Sequence, residues 1–95
     1  MKINELKPAM SNVAIKAKVS ELKEPREVMT KFGNAIILTE AILEDDTGSI
    51  KVSLWGEQAE GIQEGSEVEI TGAFTKEFRD ELQMSIGKRG SIKVV

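Results

Sequence analysis

The stretch DDTGSIKVSLWG, Asp45 to Gly56, reads as a turn followed by a strand. Short acids that cap their own backbone, followed by a glycine, make a hairpin turn of Asp45 to Ser49. Beyond it Ile50, Val52 and Leu54 alternate with Lys51, Ser53 and Trp55. A period of two sends one set toward a core and the other toward solvent. The only tryptophan in a chain with 4% aromatic residues thus falls on the wet side, beside a lysine and a serine. Burying Trp55 would expose Ile50, Val52 and Leu54 unless the strand bulges near its end.

Working outward, AIILTEAILE (Ala35 to Glu44) is the strand that enters this hairpin, too apolar on both faces to phase. Nearer the N-terminus, INELKPAMSN reads as one helical turn ended near Pro8. Then Val13, Ile15, Ala17 and Val19 alternate with polar or small residues as a first, half-buried strand. Leu22 breaks that phase, which predicts a bulge or bend near Ser20–Glu21. KEPREVMTKFGN, Lys23 to Asn34, carries Pro25 and Gly33 and reads as a long loop or mobile hairpin tip. After Trp55, GEQAEGIQEGS reads as a brief helical turn plus loop. Val68 and Ile70 open a fourth strand toward Phe74, TKEFRDE is a polar connection, and Leu82, Met84 and Ile86 mark a fifth strand. Ile92 and Val94 suggest a last short one.

Ninety-five residues suit a single domain, 1–95. Five strands with a short helical turn between strands 3 and 4 predict an all-β, five-stranded Greek-key barrel of the oligonucleotide/oligosaccharide-binding (OB) type. An SH3-like barrel is the rival. Closure removes exposed edges, and bends at Ser20–Glu21 and near Gly72 turn its corners.

Composition narrows the chemistry. The chain has no Cys and no His, so disulfides, thiol nucleophiles, imidazole bases and the common zinc sites are excluded. EDDTG lacks the 12-residue calcium pattern, and the acids of EDD and RDE lack the opposed geometry of a glycosidase pair. No catalytic constellation, metal or cofactor is expected, nor a small-molecule substrate. No apolar run approaches the ~20 residues of a membrane span, and no signal peptide is visible, so an intracellular setting (cytoplasm or nucleoid) is expected. Net charge is −3. It is unevenly spread: residues 52–75 carry Glu57, Glu60, Glu64, Glu67 and Glu69 with no base, whereas 76–95 carry Lys76, Arg79, Lys88, Arg89 and Lys93 against three acids. A local basic surface remains open to the chain.

The candidate site follows from the rings. An exposed Trp55 is a platform on which any base can stack; its bland alternative is a core residue. Phe74 falls on the core side by strict counting from Val68 and Ile70, and only a bulge near Gly72–Ala73 would turn it outward. Phe78 sits among charges in the loop between strands four and five, which borders the ligand groove of this barrel type, or else it folds back on the core. Arg79 is placed to pair with a phosphate or stack on a base, or to pair with Asp80 or Glu81. Phe32, Lys31 and Arg26, from the first long loop, could close over the same groove. Lys51, Lys76 and Gln83 supply polar contacts, or are ordinary residues of a wet sheet. Lys16 and Lys18 face outward on strand one.

An ordered set of short motifs then carries a resemblance: Asp46-Thr47-Gly48, Ser53-Leu54-Trp55-Gly56, Glu64-Gly65-Ser66, Phe74 to Arg79, Leu82-Gln83-Met84 and Gly90-Ser91-Ile92. In that order and spacing the chain resembles the OB domains of archaeal replication protein A and archaeal single-stranded-DNA-binding proteins. The resemblance implies an OB fold that binds single strands with little sequence preference, in DNA replication, recombination or repair. It implies stacking by Trp55, Phe74 and Phe78. Position 74 is Phe where larger rings are common, and the cysteines of the family's zinc-bearing members are absent. The chain could be one domain of a longer tandem protein. Two other functions stay open: a module whose rings anchor another replication protein or OB domain, and an RNA- or tRNA-binding domain.

Overall fold

The computed structural model describes residues 2–59 and 61–95, without the side chains of Gly87, Lys88 and Arg89. Lys88 and Arg89, which the sequence offers as an extension of a basic track, therefore lie outside the described side chains. A 3-10 turn at Ile3–Glu5 precedes β1 (Val13–Leu22), β2 (Arg26–Met29), β3 (Ala35–Asp45) and β4 (Gly48–Trp55). A second 3-10 turn at Gly56–Ala59 leads to β5 (Glu67–Phe78) and β6 (Glu81–Val94).

The strands pair in the order β1-β5-β6-β4-β3-β2, and β1 also pairs with β3. That last pairing closes a ring of five strands, with β2 hung outside it on β3. All pairs are antiparallel except β4 with β6, where Lys51, Val52 and Ser53 lie level with Gln83, Met84 and Ser85. The helical turn sits between the third and fourth strands of the ring, as the sequence predicts.

The alternating residues close the core. Val13, Ile15, Ala17 and Val19 of β1 point inward, as do Ile50, Val52 and Leu54 of β4. Ala41 and Leu43 of β3, Val68, Ile70 and Ala73 of β5, and Met84 and Ile86 of β6 join them, and Ile62 packs on from beyond the second 3-10 turn. Fully burying a side chain the size of Leu54 contributes about 1.5–3 kcal/mol, so this inward set decides the register of the five strands of the ring.

Two bends are where the sequence puts them. β1 pairs with β5 as far as Lys18 and with β3 from Lys18 onward, and its register with β3 slips between Val19 and Glu21. That slip lets one strand serve two neighbours and so shut the ring. The second lies in β5, whose register with β6 shifts between Thr71 and Ala73. Gly72 takes φ +69° there, a conformation open to glycine at little cost. Ala73 is fully buried, so Phe74 turns outward. On β6 the residues between Ile86 and Ser91 bulge opposite Gly72. A Cβ on Gly90 would stand 2.7 Å from the Thr71 carbonyl oxygen, so only glycine fits.

Three expectations need correction. Of the two readings of Lys23–Asn34, the hairpin holds and the long loop does not: Arg26–Met29 pairs residue by residue with Ala35–Leu38. That strand is mostly exposed, so no apolar period announces it. Phe78 is not in a loop, because β5 runs to it and leaves only Arg79 and Asp80 as the turn. The fifth and last strand signals belong to one strand, β6, interrupted by its bulge.

Candidate nucleic-acid interface

Strand register builds the outer face row by row. Arg26 of β2 lies opposite Leu38 of β3, which lies opposite Trp55 of β4. In the next row Glu40 faces Ser53, Ser53 faces Ser85, and Ser85 faces Phe74. In the third, Ile42 faces Lys51, then Gln83 and Lys76. Phe78 stands opposite Glu81 at the end of β5. Ser53 and Ser85 are short, so the floor stays low between Trp55 on one side and the phenylalanines on the other.

The result is a hollow of about 450 Å³ lined by Arg26, Leu38, Glu40, Lys51, Ser53, Trp55, Lys76, Phe78 and Gln83. Six of the residues singled out from the sequence therefore meet in one place: Arg26, Lys51, Trp55, Lys76, Phe78 and Gln83. Trp55 is half-buried at the strand end, and its backbone N–H donates to Gln58 Oε1 at 2.9 Å. That bond ties the first residue past the core to the following 3-10 turn and holds the indole's base in place. Phe78 is 55% exposed and Phe74 39% exposed. Phe74 borders the hollow along the serine row rather than lining it.

Arg79 and Asp80 form a two-residue hairpin turn with φ +52° and +64°, a shape that favours Asn-Gly. Its guanidinium lies 5.2 Å from the centre of the Phe78 ring. One face of that ring is thus covered by a cation. Phe32 and Lys31 stand at the tip of the β2–β3 hairpin, outside the hollow. Phe32 is 79% exposed, with the Lys31 ammonium 5.3 Å from its ring centre. Lys16 and Lys18 belong to a different surface, along β1.

The charges of the hollow are mixed. Arg26 Nη2 lies 3.2 Å from Glu40 Oε1. Lys51 Nζ lies 3.9 Å from Glu40 Oε2 and 3.7 Å from Glu81 Oε1. Arg26, expected to close over the groove, and Lys51, expected to supply polar contacts, therefore already have carboxylate neighbours. Periodicity missed two members of the site. Leu38 is only 7% exposed yet stands apart from the ring's core, as an apolar floor beside Trp55. Glu40 follows two residues later on the same face. The doubly apolar pattern of β3, which defeated phasing, was the signal: both of its faces are covered.

Comparison with known proteins agrees with this geometry. Residues 6–94 match the family model described as single-stranded DNA binding protein Ssb-like, OB fold. The single-stranded DNA binding protein Ssb of Saccharolobus solfataricus is 40% identical over 91 residues, covering 96% of this chain and 61% of that protein. Replication factor A of Methanothermobacter thermautotrophicus is 37% identical over 98 residues, covering 97% of this chain but 12% of that protein. The chain thus spans about three fifths of one curated relative and about an eighth of the other. Among solved structures, the second OB-fold domain of replication protein A from Methanococcus maripaludis superposes with a TM-score of 0.85 at 30% identity, over 100% of this chain and 93% of that one.

Proposed function

The chain belongs to the Ssb-like OB-fold family of single-stranded DNA binding proteins, and from that premise we propose that it captures single-stranded DNA with little sequence preference. Bases stack on Trp55, Phe74 and Phe78, and phosphates pass the cations at the rim, Lys76 and Arg79 foremost. One observation carries this reading: the ring closes its core without an aromatic residue, and three of the four rings stand on one outer face. Burying a phenylalanine contributes about 1.5–3 kcal/mol, and these residues forgo much of it. Stacking of an unpaired base recovers about 1–3 kcal/mol per contact, with no regard to sequence.

The face offers flat rings and short polar groups, which suits a binding module rather than an enzyme. With Arg26 and Lys51 already beside carboxylates, few phosphates are neutralised, so binding falls only gently with salt. A single ring of strands would cover about 4 nucleotides, the low end for this fold. Linked to further copies it would gain from effective concentration, which fits a module of a tandem replication or repair protein.

Trp55 is the only indole and the chain has no Tyr, so intrinsic fluorescence reports on this face alone. Titration with oligo(dT) is expected to quench it. Absence of quenching by any oligonucleotide at low salt would overturn the proposal in favour of a protein partner on the same rings. Tighter binding of RNA than of matched DNA would redirect it to RNA.

A further inference from the structure

Glu40 stands on the stacking face, where a platform for polyanions needs no carboxylate. Its side chain is 21% exposed and is held from two sides, by Arg26 at 3.2 Å and by Lys51 at 3.9 Å. A carboxylate has about four acceptor positions, so some remain free for a ligand. A carboxylate only accepts, and the N–H donors of a DNA strand are on its bases, so the group that bonds to Glu40 is a base.

Register says which base. Glu40 pairs with Ser53 and Trp55 pairs with Leu38, so Glu40 and Trp55 are diagonal neighbours, roughly 7–8 Å apart at Cα. That separation is within reach of the edge of a base stacked on the indole. Cytosine presents an amino donor at N4, whereas thymine presents the O4 carbonyl, which a carboxylate repels. Arg26 and Lys51 on either side can donate to neighbouring base acceptors. Resting on the reading of this face as a single-strand platform, we propose that Glu40 is a specificity-determining residue. It favours bases with an exocyclic amino group on the Watson–Crick edge, and cytosine over thymine among the pyrimidines.

The test compares oligo(5-methyl-dC) with oligo(dT) of equal length, read by Trp55 quenching at neutral pH. Both carry the C5 methyl and differ only along the edge that Glu40 would read. The wild type is expected to bind the 5-methyl-dC strand more tightly by about threefold to tenfold, the net effect of one hydrogen bond. In Glu40→Gln the amide offers both a donor and an acceptor, and the ratio is expected to fall to about one while the thermal midpoint holds. Equal affinities in the wild type would overturn the inference. So would a ratio unchanged in Glu40→Gln, since simple relief of repulsion strengthens both strands alike. Quenching by neither strand would instead sink the single-strand reading itself.

Discussion

Two outer surfaces rest on the same core, and they differ in kind. Along β1 lies the larger hollow, about 800 Å³, lined by Lys16, Lys18, Glu44, Asp46, Glu67 and Glu69 among others. Across β3, β4, β6 and β5 lies the smaller one, about 450 Å³, which holds Trp55 and Phe78. Size alone would favour the first as the site; the proposed function rests on the chemistry of the second. On β1, Lys16 sits opposite Glu69 and Lys18 opposite Glu67, and Lys16 Nζ reaches Glu67 Oε1 at 3.2 Å. Opposite charges across strands satisfy one another, and such a face has little left to offer a ligand. The other surface gathers exposed rings on one face, which leaves them open to stacking by a partner. What distinguishes a site here is unmet interaction capacity, not volume.

The sharpest test separates the platform from its support. Leu54→Ala and Trp55→Ala are neighbours in sequence but point to opposite sides of β4. Leu54→Ala is expected to cost about 2–5 kcal/mol of stability, read as a lowered denaturation midpoint. Trp55→Ala is expected to leave the fold intact but weaken an end-labelled oligo(dT) by about 1–3 kcal/mol, read by anisotropy. If Trp55→Ala unfolded the protein instead, the contrast between face and core would collapse.

A smaller effect lies at the β5–β6 turn. Arg79→Asn with Asp80→Gly replaces two strained residues by the pair that the turn prefers, and is expected to raise stability by about 1 kcal/mol. The same change removes the cation on Phe78, so binding should weaken as stability rises. Both moving together would show that Arg79 has no part in the platform.

The β1 side has its own dependence, on pH. Asp45 accepts from the Thr47 hydroxyl foremost, and from the backbone N–H groups of Ile3, Thr47 and Gly48. These bonds hold its carboxyl down at about 2, below the ordinary 3.8. A lowered folded-state value means stability that is complete above the ordinary range and lost as pH falls toward 2. Asp45→Asn is expected to lower the thermal midpoint at pH 6, with the gap to wild type narrowing as pH falls from about 4 through 2, and to leave oligonucleotide affinity unchanged. The smallest expected effect is that of Lys16→Ala with Lys18→Ala, which should alter affinity by a factor of about two or less. A large loss there would move the site to the larger hollow.

Much of this was legible because it is local. The hairpin at Asp45–Gly48, the inward set of β4 and the bend after Val19 each follow from a few consecutive residues. Phe74 was legible only conditionally: strict alternation buries it, and a bulge at Gly72 had to exist before it could face out. The strand Arg26–Met29 was not legible, because both of its faces are polar or exposed and its partner lies across a turn. Nor was the setting of Glu40, which depends on Arg26 and Lys51 arriving from two other strands.

By itself, then, the chain determined which residues cannot face water, since alternation with period two leaves Ile50, Val52 and Leu54 no other place. That placed Trp55 outside. Only the tertiary structure decided what Trp55 stands beside. Closing the ring through β1 and β3, and setting β6 parallel to β4, brings residues from five strands onto one face. Such neighbours are chosen by long-range pairing, whose cost and reward no short stretch of sequence contains.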